Sequence, residues 1–187
     1  MKLSDDLQIS IQVAMSEAHR LRHEYAGLEH LLYALVLDDE TALILRHAGA
    51  DIERLKGRLY HYLNDELDSV DEDEFFETRP SMAFHRVMAR AQAHVEGAAK
   101  DELEGHDLLV AMFHETESWA VHFLQDEGVQ RLDVISYLSH GVSKFQPTSP
   151  ARRLVDADGE EAGAAPTAGE ALEAFAQNLV ALAGDGK

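Results

Sequence analysis

Two pairs of side chains at helical spacing are the residues of this chain that could carry chemistry. His19 and His23 lie four residues apart with Glu24 beside them, a spacing at which two imidazoles can bind one zinc ion. The zinc-protease pattern needs a glutamate directly after the first histidine to act as the base. Here that residue is Arg20, whose charge repels a metal ion. The pattern favours surface histidines that are weak candidates for adventitious zinc, and a metal-dependent hydrolase is a remote interpretation.

Arg86 and Arg90 form the second pair, and residues four apart share one face of a helix. Both lie opposite Val87 and Ala91, so we expect them on the exposed side. In a chain with a formal net charge of -19, two aligned arginines make a local positive spot. The pattern alone favours a solvated face whose arginines pair with the acidic segment 64–79, and a docking spot is the alternative.

The composition excludes several classes of function. The 187 residues include 35 acidic and 16 basic side chains, a balance that disfavours binding to nucleic acid or to an anionic membrane. The absence of cysteine excludes disulfides and thiolate chemistry. No segment approaches the ~20 apolar residues of a membrane span, and the N-terminus lacks a signal-peptide pattern. We therefore expect a cytoplasmic protein that binds neither nucleic acid nor membrane.

The sequence offers no nucleophilic site. A serine nucleophile needs a sharp turn flanked by glycines, whereas Ser10, Ser16 and Ser136 all fall in predicted helices. The chain is therefore predicted not to be an enzyme and to contain no cofactor.

The elements that must position these residues occur twice in the sequence. Residues 12–62 and 85–140 carry one pattern of apolar positions. The matched positions are 29–35 with 106–112, 44–45 with 123–124, Leu59 with Leu138, Ala14 with Val87, and Ala18 with Ala91. The alignment requires insertions in the second copy after Ala91 and after Met112. Two copies are too few for an open array, so we expect an all-α domain, a pseudo-twofold tandem repeat of two four-helix units.

Apolar residues spaced three and four apart predict four helices in each copy. In the first copy, Asp38 and Asp51 stand where N-caps are expected, and the predicted helices cover residues 4–22, 28–35, 38–49 and 51–63. In the second copy, Ser81 caps a helix that ends at Gly97, and Gly141 ends the last helix. The buried faces of the second copy are predicted to include Trp119, Leu132 and Leu138.

These patterns divide the chain into segments. We assign residues 1–141 to one domain, with repeat 1 at about 1–63 and repeat 2 at about 80–141. The acidic connector, residues 64–79, joins the repeats, and its Phe75 and Phe76 are expected to pin it to the core.

Two further segments follow the second repeat. Residues 142–166 are rich in proline, glycine and alanine, which predicts a flexible linker. Residues 167–187 open with a capping box from Thr167 to Glu170 and predict a C-terminal amphipathic helix.

Four stretches of the chain carry a family resemblance. They are HEY at 23–25 with EHLLYAL at 29–35, RPS at 79–81 with FHRVMARA at 84–91, Ser118, and RLDVISYLSHG at 131–141. They resemble the N-terminal (Clp repeat) domain of the Clp AAA+ unfoldases, most closely the ClpA-type branch. One departure is Gly27, where the family places a capping threonine; a glycine cap costs only a few tenths of a kcal/mol.

The resemblance implies a function and a site. Domains of this type are non-catalytic and dock a small ClpS-like adaptor, which delivers protein substrates to an ATPase hexamer and its ClpP-like peptidase. The matching adaptor-binding positions in this chain are Glu24, Glu29, Ser81, Arg86, Arg90 and Arg131. Under this resemblance the arginine pair becomes a docking spot, because a planar guanidinium pairs with a carboxylate at two points.

An ATPase module would add a phosphate-binding loop of the form Gly-x-x-x-x-Gly-Lys-Ser/Thr. Residues 184–187 have the wrong spacing and no following serine or threonine, so ATP and magnesium are expected only if such a module follows. The chain is expected to be either a fragment of a longer unfoldase or a free-standing protein. In the second case it would be a regulatory or stress protein that binds a peptide or small ligand in the cleft between the repeats.

Overall fold

The computed structural model describes residues 2–144, which belong to one compact unit, Met1–Pro147. The described residues form eight α-helices: α1 Asp5–Arg20, α2 Leu28–Leu37, α3 Asp39–His47, α4 Ile52–His61, α5 Met82–Gly97, α6 Gly105–Met112, α7 Trp119–Asp126 and α8 Arg131–His140. A π-helical turn, Tyr62–Glu66, extends α4. The prediction of an all-α fold is confirmed. None of the described helices is long and apolar enough to cross a membrane.

Four two-residue strands link the repeats, and sequence patterns did not predict them. They are β1 Lys2–Leu3, β2 Tyr25–Ala26, β3 Arg79–Pro80 and β4 Glu102–Leu103. β1 pairs in parallel with β4, and β2 pairs in parallel with β3. The strand before the first helix of each repeat thus pairs with the strand before the second helix of the other. This reciprocal exchange is what a pseudo-twofold relation between the repeats requires.

The structure corrects the predicted register between the first helices. The buried residues are Leu7, Ser10, Ala14 and Ala18 in α1, and Phe84, Val87, Ala91 and Val95 in α5. Ala14 is therefore equivalent to Ala91 rather than to Val87, and the predicted insertion after Ala91 does not exist. The error has a simple cause, because an apolar stripe looks the same when it is shifted by one helical turn. The helix starts resolve it, since Ser4 and Ser81 both act as N-caps.

The ends of these two helices also differ from the prediction. α5 includes Gly97, and the left-handed residue that follows it is Ala99, with φ 53°. Arg22 adopts the same conformation after α1, with φ 60°. At the end of α8, Gly141 is left-handed with φ 66°, and this helix end agrees with the prediction.

The core is built around α2, which is apolar on nearly every side. Leu28, Leu31, Leu32 and Leu35 are each at most 1% exposed. α2 contacts α1, α3 and α4 of its own repeat and α5, α6 and α7 of the other. A helix that is hydrophobic all round belongs at the centre of a domain, and here it joins the two repeats into one core.

Three predicted core residues of repeat 2 are exposed instead. The exposed fractions are 53% for Trp119, 68% for Leu132 and 39% for Leu138. α8 buries only Val134 fully, because it packs against α3 and α6 along one narrow stripe. Apolar residues on a helix at the edge of a domain need not all face the core.

The connector is attached through one phenylalanine rather than two. Phe76 stacks on His19 with ring centroids 5.0 Å apart, and the Arg22 guanidinium lies 4.7 Å from the Phe76 ring centre. Arg22 also donates hydrogen bonds to the backbone oxygens of Val70, Asp71 and Glu74. Phe75 is 94% exposed, so the prediction that both aromatics pin the connector is wrong for Phe75.

The first residues of the predicted linker pair with the folded unit. The Lys144 backbone N–H donates to the His47 carbonyl at 2.7 Å, and the Lys144 ammonium lies 2.5 Å from an Asp133 carboxylate oxygen. The rest of the predicted linker, to residue 166, and the predicted helix at 167–187 lie outside the described residues.

Candidate functional site

The arginine groove is an open cavity where the repeats meet. Its walls are the start of α2, the first half of α5 and the loop after α6, and its volume is about 480 Å³. The lining residues are Gly27, Leu28, Glu29, Ser81, Ala83, Arg86 and His114 to Ser118. Three of the six predicted adaptor-binding residues, Glu29, Ser81 and Arg86, therefore line one cavity.

Arg86 and Arg90 share a single carboxylate, that of Glu115. Arg86 Nη2 lies 2.5 Å from Glu115 Oε2, and Arg90 Nη1 lies 3.3 Å from Glu115 Oε1. We call these three residues the arginine cluster. The hydrogen bond from Arg86 lowers the pKa of the Glu115 carboxyl, so this carboxylate stays ionised. The intrachain partner lies in the loop after α6, so the predicted pairing with the acidic connector is wrong. Within this cluster two guanidinium groups share one carboxylate, although Glu29 and Glu117 also line the groove.

Glu29 joins α2 to the start of α7. Its Oε1 accepts hydrogen bonds from the Ser118 hydroxyl at 3.0 Å and from the Ala120 backbone N–H at 3.2 Å. A carboxylate at a helix N-terminus is favourable, because it receives free N–H groups and faces the positive end of the helix dipole. Glu29 thus holds the groove wall in place as well as lining the groove.

The remaining predicted residues divide between two further cavities. Arg90 and Arg131 line a smaller hollow of about 160 Å³, which shares His114 with the arginine groove. Glu24 lines a different cavity, beside the connector, with Phe76 and Arg79. The structure therefore brings five of the six residues to adjoining cavities and leaves Glu24 apart.

The two metal candidates, His19 and His23, do not meet at one site. His19 stacks on the connector, whereas the His23 Nδ1 lies 2.9 Å from the His30 Nε2. The Gly27 backbone N–H donates to the His30 Nδ1 at 3.1 Å, so the proton of His30 sits on Nε2 and is donated to His23. Burial lowers the pKa of His30 to about 4 and also lowers the pKa of His23. This pair caps α2 in its neutral form.

Repeat 2 performs the same capping with charged residues. The Glu104 backbone N–H donates to Asp107 Oδ2 at 3.0 Å, and the Lys100 ammonium lies 3.7 Å from Asp107 Oδ1. Within residues 2–144, Glu104, His106 and Asp107 are the one group of three or more metal-ligating side chains close enough to share an ion. Lys100 and the positive end of α6 both disfavour a cation there, so the cluster fits a capped helix start better than a metal centre.

Sequence reasoning missed Glu115, which binds both arginines, and His114, which lines both cavities. Both lie in the loop that follows α6, where repeat 2 has the predicted insertion after Met112. That insertion was the signal available in the sequence, since extra residues beside a groove are candidates for lining it. The arrangement can bind acidic and hydrogen-bonding groups at its rim.

Comparisons with known proteins agree with this architecture. The Clp repeat (R) N-terminal domain family matches residues 2–127. The chain is 37% identical over 171 residues to the ClpA homolog protein of Fuscovulum blasticum, which covers 91% of this chain and 22% of that protein. The chain therefore spans about a fifth of the length of this curated relative.

Solved structures share the fold at low sequence identity. The Hsp104 N-terminal domain from Candida albicans has a TM-score of 0.63 and 14% identity, over 72% of this chain and 87% of that one. The N-domain of ClpV from Vibrio cholerae has a TM-score of 0.61 and 16% identity, over 76% and 87%. On the match over residues 2–127, the chain belongs to the family of Clp repeat N-terminal domains.

Proposed function

We propose that this chain is the docking domain of a ClpA-like, ATP-dependent unfoldase that feeds a ClpP-like peptidase. The Clp N-terminal domain is non-catalytic, and the ClpA homolog relative supports the assignment to this branch. The relative is about five times as long as the matched region, which suggests that this domain belongs to a longer protein. We assign the ATPase hexamer, its ATP and magnesium, and the peptidase contact to that longer protein. This function places the protein in the cytoplasm.

The observation that carries the proposal is the arginine cluster at the rim of the arginine groove. The side chains of Arg86 and Arg90 are 54% and 41% exposed, and among residues 2–144 both pair with the single carboxylate of Glu115. Arg131 adds a third guanidinium at the adjoining hollow. An exposed positive cluster on a chain of net charge -19 favours an acidic partner surface, because the rest of the domain repels it.

The proposed partner is a ClpS-like adaptor whose carboxylates meet this cluster. Each guanidinium already makes one carboxylate contact and has donors left for a second. Ser81 at the start of α5 and Glu29 on α2 line the same groove and offer further polar contacts. Glu24, which lies beside the connector, is proposed as a peripheral contact.

A second candidate function rests on the position of the same groove. Because its walls come from α2 of repeat 1 and α5 of repeat 2, the arginine groove is a cleft between the repeats. A free-standing regulatory or stress protein could bind a peptide or small ligand in that cleft. Such a ligand would contact Leu28 and Ala83 inside the cleft and would depend less on Arg90, which faces the neighbouring hollow.

Titration calorimetry with a purified ClpS-family adaptor tests the proposal. We expect the double substitution Arg86→Ala and Arg90→Ala to weaken binding by about 2–4 kcal/mol, as is typical of central interface arginines. Both side chains are exposed, so thermal stability should change little.

The matched control is Arg20→Ala, because Arg20 is also 54% exposed and pairs with a mostly buried glutamate, Glu17, at 2.6 Å. It should leave adaptor binding unchanged. Wild-type affinity in the double variant would remove the arginine cluster from the docking site. Equal losses from the control would show that the effect is one of general charge.

A further inference from the structure

The apolar groove is a second cavity, and it lies in repeat 1. It runs between α1, the end of α2 and the start of α3, with a volume of about 420 Å³. Its apolar lining is Ile9, Val13, Ala34 and Leu37, and its acidic lining is Asp6, Asp38, Asp39 and Glu40.

The groove exposes large aliphatic side chains to water. Ile9 is 59% exposed and Leu37 is 43% exposed, and Val13 lies one turn from Ile9 along the same wall. A contiguous exposed patch of this kind marks an interaction surface more often than scattered single residues do.

The equivalent wall in repeat 2 has opposite chemistry. With Ala14 equivalent to Ala91, the positions of Ile9 and Val13 on α1 are those of Arg86 and Arg90 on α5. In repeat 2 the arginines are bridged by Glu115. In the part of the chain that the structure describes, no lysine or arginine pairs with Asp6, Asp38 or Asp39, although Asp38 caps α3 through the Thr41 N–H at 2.8 Å.

We propose that the apolar groove docks a peptide segment in which large apolar side chains are flanked by lysine or arginine. The apolar floor would bury the aliphatic or aromatic side chains, and the acidic rim would pair with the flanking cations. Charge complementarity selects this occupant. A second copy of the chain carries a net charge of -19 and would be repelled, and residues 167–187 contain three acidic residues and one lysine.

This surface is separate from the proposed adaptor site, so the two can fail independently. Repeat 1 would bind apolar segments with flanking cations directly, whereas the arginines of repeat 2 would bind an acidic partner. One domain would then bind two kinds of partner, one at each groove.

Fluorescence anisotropy with a labelled peptide of two leucines flanked by lysines tests the proposal on the whole chain. We expect binding that weakens roughly tenfold in the double variant Ile9→Asn and Leu37→Asn. Asp6→Asn with Asp39→Asn should weaken it several-fold, and so should raising the salt from about 50 mM to about 500 mM. The same peptide with glutamates in place of the lysines should bind at least roughly tenfold more weakly.

The matched control is Leu132→Asn, a substitution at a leucine that is 68% exposed on α8, outside the groove. It should leave peptide affinity unchanged, and so should Arg86→Ala with Arg90→Ala. The proposal is overturned if the lysine peptide does not bind, if the glutamate peptide binds equally well, or if Ile9→Asn with Leu37→Asn has no effect. A loss of binding in the arginine variant would also overturn it, because the peptide would then occupy the arginine groove.

Discussion

The arginine groove and the apolar groove occupy related places in two copies of one unit, yet their walls have opposite chemistry. α5 presents Arg86 and Arg90 where α1 presents Ile9 and Val13. Between these positions, both helices bury the same stripe against the core. The comparison teaches that the duplication keeps the packing face, which the core constrains, and lets the outer face diverge.

The starts of α2 and α6 show the same divergence inside a conserved geometry. His30 accepts from the N–H of Gly27 in repeat 1, and Asp107 accepts from the N–H of Glu104 in repeat 2. The N-cap interaction is common to both, but only the histidine cap can be lost when it takes up a proton. The repeats should therefore respond differently to acid.

The largest expected effect concerns the contact between repeats. The Glu127 side chain is 0% exposed and accepts from Arg54 at 2.6 Å and from the Asp51 N–H at 3.3 Å, whereas the equivalent residue of repeat 1 is Ala48. Glu127→Ala should lower the free energy of unfolding by about 2–4 kcal/mol, because it removes charge-assisted hydrogen bonds from a buried site. Urea denaturation followed by circular dichroism measures this change.

The neighbouring Asp126 provides the control for that prediction. It also pairs with an arginine, Arg58, at 2.6 Å, but its side chain is 61% exposed. Asp126→Ala should cost less than about 1 kcal/mol, since exposed ion pairs contribute little. Equal costs at the two positions would show that the buried pair does not hold the repeats together.

A pH titration sharpens the comparison of the two caps. Burial, with a smaller contribution from His23, lowers the pKa of His30 from 6.5 to about 4. Between these two pKa values the unfolded chain binds a proton at His30 and the folded chain does not. The contribution of His30 to the free energy of unfolding is therefore complete above about pH 6.5 and falls as the pH is lowered towards 4. Between pH 7 and pH 5 the loss should be about 2 kcal/mol.

The variant His30→Asn keeps an acceptor for the Gly27 N–H but cannot be protonated. Its free energy of unfolding should therefore depend less on pH over the same interval, although its stability at pH 7 should be lower. A pH dependence as steep as that of the wild type would place the acid sensitivity elsewhere.

The smallest expected effect concerns the carboxylate that bridges the arginine cluster. Glu115→Gln frees Arg86 and Arg90 from their intrachain ion pairs. Adaptor affinity should rise by up to about fivefold, because ion pairs whose arginines remain open to water are worth about 1 kcal/mol or less and compete with the partner. Calorimetry with the ClpS-family adaptor measures it, and a loss of affinity would mean that Glu115 itself contacts the partner.

Local sequence signals predicted most of the scaffold. Asp38, Asp51 and Ser81 act as N-caps where they were expected, since each side chain accepts from an N–H three residues ahead. The register of α1 against α5 could not be fixed locally, because helical periodicity repeats each turn. The short strands β1 to β4 depend on pairing between distant segments and leave no periodic signal.

The candidate site was predictable only in part. The family resemblance pointed to Arg86 and Arg90, but the sequence does not state which carboxylate they meet, because Glu115 comes to them through the tertiary fold. Arg22 looks like an ordinary surface arginine, yet it holds the connector through three backbone oxygens. Leu132 was expected in the core because it continues the helical spacing of the apolar residues. It is exposed, because α8 lies at the edge of the domain.

The most direct test of the account is a crossed titration of both grooves with both partners. The ClpS-family adaptor and the lysine-flanked peptide would each be titrated into the wild type, the Arg86→Ala and Arg90→Ala variant, and the Ile9→Asn and Leu37→Asn variant. We expect the arginine variant to lose the adaptor and keep the peptide, and the apolar-groove variant to lose the peptide and keep the adaptor. If either variant lost both partners, or if the adaptor and the peptide competed for one site, the claim that the two repeats carry separate docking surfaces would be contradicted.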